Sequence, residues 1–263
     1  MFCLQFIWGG IHCGYFNLPT VVTVMNCDDL IYLTFDFEAS GLKTVCDYVP
    51  GKVSQPVEVG AVVLNPSVSS LTSDVFYARM RFDRERFLWD TESEKVHKIS
   101  QADLEGEPTM KEVAEQLYQF LCDIAGHHQP KIKIIIQHRK DETWLRQLLA
   151  EAGIATSVDD VAEGEPCIDI FYQSVHVRSM MLTSWVTGRY GGCLRDGYEN
   201  FGSAVDQYRL FCVDYEKYAH KALMDAAVTG ATYLLATSAQ SADPDYRRNR
   251  LIAQLETLSK AMG

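Results

Sequence analysis

A β-branched and aromatic run, Ile31-Tyr32-Leu33-Thr34-Phe35, leads directly into Asp36-Phe37-Glu38. The run reads as a buried strand. Alternate residues of a strand share a face, so Asp36 and Glu38 converge where this one ends. Two carboxylates held together near a buried sheet repel each other and lose hydration, a cost that a cation removes. Ala39-Ser40-Gly41 then turns the chain away with small residues and leaves room beside the acids. These residues favour a metal site; the alternative is a structural or capping pair.

The Asp-x-Glu spacing is not informative by itself, because the chain contains it five times. Only Asp36/Glu38 follows a run apolar enough for a central strand. Asp90-Thr91-Glu92 reads as a solvated loop, and Asp83/Glu85, Asp103/Glu105 and Asp214/Glu216 read as surface charge. A second constellation is His220 with Asp225, at the start of an apolar helix expected from about Tyr218 to Ala236. Ala222, Ala226 and Ala227 let that helix pack closely on a sheet. A core-facing helix rejects a carboxylate unless something pairs with it. Residues five apart do not share a face, so Asp225 points inward while His220 stands at the edge.

Around these residues the pattern is α/β. Val57 to Val63 and Val75 to Arg81 read as strands, and Pro108 opens a helix striped by Val113, Leu117, Phe120, Leu121 and Ile124. Ile132 to Ile136 reads as another strand, followed by a helix from about Asp141 to Ala152. Residues 153–215 suggest loops with short helices. Asp243-Pro244 looks like the cap of a last amphipathic helix carrying Leu251, Ile252, Leu255 and Leu258. The expected division is an apolar extension over 1–29, a main domain over 30–237, and a connector with the last helix over 238–263. Strands interleaved with helices imply a mixed sheet.

Composition narrows the function classes. With 24 basic and 35 acidic residues the net charge is −11, which argues against coating nucleic acid by bulk charge. An enzyme that gathers acids to hold metal is compatible with it. Eight cysteines without a C-x-x-C pair exclude a zinc ribbon and fit reduced thiols in a cytoplasmic compartment. No apolar run reaches the roughly 18 residues of a membrane span.

Phe35-Asp36-Phe37-Glu38-Ala39-Ser40-Gly41-Leu42 resembles the first motif of the DnaQ-like, DEDDh class of 3′-5′ exonucleases. Pro56 to Val62 resembles the strand that follows it. Val96-His97-Lys98-Ile99-Ser100 resembles its His-Gly-Ile-Thr segment, with Lys98 in place of the usual Gly. Ala219-His220-Lys221-Ala222-Leu223-Met224-Asp225-Ala226 resembles its third motif. The second motif departs from the pattern: Ile134-Ile135-Ile136-Gln137-His138-Arg139-Lys140-Asp141-Glu142-Thr143-Trp144-Leu145 has Lys140 where Phe is usual. Asp141 is the expected fourth carboxylate and Glu142 the fallback; His138 reads as structural or substrate-facing.

The resemblance implies a ribonuclease H-like mixed β-sheet flanked by helices. Asp36, Glu38, Asp141 and Asp225 would hold two Mg²⁺ ions, with Mn²⁺ as a substitute, for a two-metal displacement at the terminal phosphodiester. His220 would act as general base, and the product would be a 5′-mononucleotide. Ser40, Gly41, Leu42, His97, Arg139 and Lys140 are the expected substrate-binding residues. Arg178, Arg189 and Arg195 with Trp185 and Tyr190 are further candidates, the aromatics for stacking bases, although scattered surface charges and loop-packing aromatics read equally well there. The expected partners are single-stranded DNA or RNA 3′ ends and no membrane; a homodimer or a polymerase-type partner is left open. The competing class is an exonuclease-fold module that has lost catalysis and binds nucleic acid or a protein.

Overall fold

In a computed structural model, residues 30–44, 52–162, 164–170, 175–177, 204–237 and 244–262 are described. The apolar extension, the candidates Arg178, Trp185, Arg189, Tyr190 and Arg195, and the Asp243 cap lie outside these residues.

The run at Ile31 forms β1 (Ile31–Ala39), the middle strand of a mixed sheet. It pairs antiparallel with β2 (Pro56–Asn65), which pairs antiparallel with β3 (Ser70–Arg79). On its other side β1 runs parallel to β4 (Lys131–Ile136), to which two short strands, β5 (Asp169–Ile170) and β6 (Val175–His176), are added in parallel. The two short strands lie in the stretch whose sequence suggested only loops and helices. At two residues each, they are too short to show the period-2 pattern from which strands are read.

Alternation along β1 separates two cores. Ile31, Leu33, Phe35 and Phe37 pack with α2 (Met110–Ala125) and α3 (Arg139–Glu151) through Val113, Leu117, Trp144 and Leu148. The other face of the sheet is covered by α6 (Ala222–Thr237), whose Leu223, Met224, Ala227 and Leu234 meet Val62, Leu64 and Ile135. This side also receives α4 (Ala204–Leu210) through Tyr208 and α7 (Pro244–Ala261) through Leu251 and Leu255. Helix α2 begins in a reciprocal capping box between Thr109 and Glu112.

Two expectations are corrected. Asp90-Thr91-Glu92 is not a loop: Asp90 caps α1 (Thr91–His97), accepting the Glu92 amide at 3.0 Å. The acids there complement the positive end of a helix that is too short to show an apolar stripe. The helix expected from Tyr218 is also interrupted. A single turn, α5 (Tyr215–Tyr218), is separated from α6 by Ala219, His220 and Lys221, with His220 in the left-handed region at φ 59°.

Candidate active site

Helix α6 is seated very close to the sheet, and small residues allow it. A Cβ on Gly60 of β2 would fall 2.1 Å from the Leu223 nitrogen and 2.2 Å from its Cα. A Cβ on Gly230 would meet Leu64 and Thr34 side-chain atoms at 2.8 Å. The Thr34 hydroxyl donates to the Ala226 carbonyl at 3.0 Å, tying β1 to the first turn of α6. Thr34, Asp36 and Glu38 share the face that α6 covers, so Asp225 is brought down onto the two acids of β1. Glu38, His220 and Asp225 each place one ligand atom within 4.8 Å of the others.

Asp141 arrives from the opposite layer. Strand β4 ends beside β1, and α3 starts three residues later, so its first turn overhangs the carboxyl end of both strands. Asp141 is buried, and its Oδ2 accepts the His138 amide at 3.0 Å, which fixes the side chain at the helix start. Glu142 faces outward in an ion pair with Arg146 at 2.8 Å. The carboxylate grouped with the acids of β1 is therefore Asp141. The Lys140 ammonium donates to the Leu42 carbonyl.

The electrostatics are those of crowded anions. Burial first, and then the charges of Asp141, Asp225, Glu38 and Glu58, raise the Asp36 carboxyl well above its ordinary range. Burial and Asp225 do the same to Glu38. Burial lifts Asp141 and Asp225 to about 7 each, against hydrogen bonds that pull them down. Hard divalent cations such as Mg²⁺ or Mn²⁺ fit such a donor set, since they take carboxylate oxygens and offset the repulsion. His220 stands at the open side, its side chain 44% exposed and its Nδ1 3.8 Å from Glu38 Oε1. Burial, followed by the Lys98 ammonium, lowers its pKa, so the imidazole is neutral near pH 7.

The expected substrate-binding residues are placed differently from one another. The Ser40 hydroxyl is buried and engaged, donating to the Leu88 carbonyl at 2.6 Å and accepting the Gln55 amide at 2.9 Å. Gly41 is pressed against Ser54, whose Oγ would lie 2.5 Å from an added Cβ. Leu42 projects into solvent at 69% exposure. His97 is buried with its ring edge-on to Trp89, and its Nδ1 accepts the Ile99 amide at 3.0 Å. Arg139 and Lys140 lie at the start of α3 beside Asp141.

Two residues around the site were not anticipated. Glu58 on β2 is 2% exposed; its Oε2 accepts from the Tyr77 hydroxyl and Arg79 Nε at 2.9 Å each, and its Oε1 from the Ala222 amide at 3.0 Å. A lone acid in an otherwise apolar strand was the available signal. Tyr208 on α4 donates its hydroxyl to Asp225 Oδ1 at 2.8 Å. It lies in a stretch without periodicity, and no sequence pattern marked it.

A mixed sheet whose central strand ends in two acids, joined by a carboxylate from each flanking layer, has a ribonuclease H-like fold. The exonuclease family model, RNase_T, matches residues 33–158. Among solved structures, exonuclease I is similar with a TM-score of 0.54 at 12% identity, over 87% of this chain and 44% of that one. Cell-death related nuclease 4 (CRN-4) gives 0.50 at 15% identity, over 78% and 62%. The nuclease domain of 3′hExo, a DEDDh family member bound to rAMP, gives 0.49 at 13% identity, over 78% and 90%. No match is found among curated proteins. No helix among the described residues is long and apolar enough to cross a membrane.

Proposed function

We propose that this protein is a 3′-5′ exonuclease that removes 5′-mononucleotides from single-stranded DNA or RNA. The observation carrying this reading is the grouping of Glu38, Asp225 and His220 within 4.8 Å beside Asp36 and the buried Asp141. Asp36, Glu38, Asp141 and Asp225 would hold two divalent cations, Mg²⁺ with Mn²⁺ as a substitute. When bound, these supply the positive charge that polarises a water and offsets the leaving oxygen.

The remaining steps belong to the chain's own groups. His220, neutral because burial lowers its pKa, takes a proton from the attacking water. The water oxygen bonds to the terminal phosphorus and the bond from phosphorus to the 3′ oxygen breaks. The break between α5 and α6 lets His220 stand at the rim while Asp225 stays inside. Leu42 meets the terminal bases, and Arg139 and Lys140 meet backbone phosphate. Because phosphate rather than sugar is engaged, DNA and RNA are both accepted, with affinity falling steeply in salt.

The test uses 5′-labelled single-stranded DNA and RNA with Mg²⁺, Mn²⁺ or EDTA, alongside Asp36→Ala and Asp141→Ala. A ladder abolished by EDTA and by both substitutions is expected. A wild-type protein that binds the strands and leaves them intact would instead identify a degenerate binding module.

A further inference from the structure

His220 is held by few contacts for a residue placed to move a proton. Its Nδ1 is 3.8 Å from Glu38 Oε1, beyond hydrogen-bond reach, and among the described residues no hydrogen bond holds the imidazole. A general base is ordinarily oriented by a third group that bonds its other nitrogen. Here the neighbour of the ring is aromatic. Tyr215 of α5 stands edge-on to it at 71°, with ring centroids 6.4 Å apart, inside the range of favourable aromatic pairs.

Tyr215 is itself fixed. Its ring stands edge-on to Tyr208 at 88°, centroids 5.4 Å apart, and packs against the core that α6 covers. Tyr208 is buried. The turn carrying Tyr215 is closed at both ends: the Asp214 carboxylate accepts the Lys217 amide at 3.2 Å, and the Ala219 amide donates to the Tyr215 carbonyl at 2.9 Å. The Tyr208 hydroxyl lies 3.2 Å from the Tyr218 carbonyl, besides donating to Asp225. One buried tyrosine thus borders both the inner acid and the ring behind the outer base. His220 leaves this turn at φ 59°, which sets where its side chain starts; its rotamer is left to whatever surrounds the ring.

We propose that Tyr215 is a positioning residue for His220: its ring, braced by Tyr208, holds the imidazole beside Glu38. This rests on the exonuclease reading above, in which His220 takes the proton of the attacking water. An aliphatic side chain of similar bulk fills the space and offers the imidazole no aromatic partner.

The variants that test this are Tyr215→Leu and Tyr215→Met, which remove the ring, and Tyr215→Phe, which keeps it. Turnover of a 5′-labelled single-stranded oligonucleotide is measured across a Mg²⁺ titration. In parallel, NMR relaxation of histidine-labelled protein follows the His220 ring, its signal assigned by its loss in His220→Ala. In the aliphatic variants kcat is expected to fall about tenfold, with KM and the half-saturating Mg²⁺ concentration within about twofold, while the His220 ring becomes more mobile. Tyr215→Phe should stay within about twofold of wild type in every readout. An equal loss in Tyr215→Phe would place the effect in the hydroxyl and overturn ring positioning. A higher Mg²⁺ requirement with an unchanged His220 ring would show that Tyr215 acts through Tyr208 and Asp225, which also overturns it. An active wild type with undiminished kcat in both aliphatic variants overturns the Tyr215 assignment alone. A wild type without activity that Asp36→Ala removes overturns the exonuclease reading, and the role of Tyr215 with it.

Discussion

Glu38 and Glu58 stand opposite each other in the β1–β2 ladder, yet their carboxylates are used in opposite ways. Glu38 faces Asp225 and His220, while both oxygens of Glu58 are taken up by Tyr77, Arg79 and the Ala222 amide. Glu58 thus joins β2, β3 and the first turn of α6 beneath the site. Removing a buried, paired carboxylate leaves its partners unsatisfied. Glu58→Ala is expected to destabilise the protein by about 3 kcal/mol in urea unfolding and to lower kcat by loosening α6.

The raised carboxyls set a pH dependence of stability that bound metal opposes. In the unfolded chain these groups titrate near 4, and in the metal-free fold Asp141 and Asp225 titrate at about 7. Between those values the folded state binds more protons, so stability is full below about pH 4 and falls as pH rises through 7. Melting temperature in EDTA should therefore decline from pH 5 to pH 8. A cation binds the ionised form, so the increase produced by Mg²⁺ should be larger at pH 8 than at pH 5. Equal increases at both would contradict this.

Tyr208 donates to Asp225 Oδ1, and that bond opposes the upward effect of burial on the carboxyl. Without it the ionised form is harder to maintain. Tyr208→Phe should raise the Mg²⁺ concentration for half-maximal activity about tenfold while changing far-UV circular dichroism little.

Gly60 has no room for a methyl group. The atoms that a Cβ would strike, Leu223 N and Cα and the Ala222 carbonyl carbon, are backbone and cannot rotate aside. Gly60→Ala should cost about 3 kcal/mol or more and reduce activity about 100-fold by lifting α6 from β1. Denaturant melts and oligonucleotide turnover measure the two effects.

Much of this site can be read from the chain because its key residues sit on long, patterned elements. The β-branched run before Asp36 and Glu38 marked β1, and the alanine-rich stretch after His220 marked α6. Asp141 was found through the apolar strand before it and Trp144 after it. The break at Ala219–Lys221 was missed, because left-handed backbone at a histidine leaves no trace in hydrophobic pattern. Glu58 and Tyr208 were missed for a related reason: their roles depend on cross-strand and interhelical partners far away in sequence.

The direction of cleavage tests the central claim most directly. One single-stranded oligonucleotide is labelled at its 5′ end in one sample and on its 3′-terminal nucleotide in another, and both are digested with Mg²⁺. The expected result is immediate release of the 3′ label as a 5′-mononucleotide, while the 5′ label descends through a ladder of shortening strands. Release of the 5′ label as a mononucleotide, or internal cuts with both ends intact, would contradict the account.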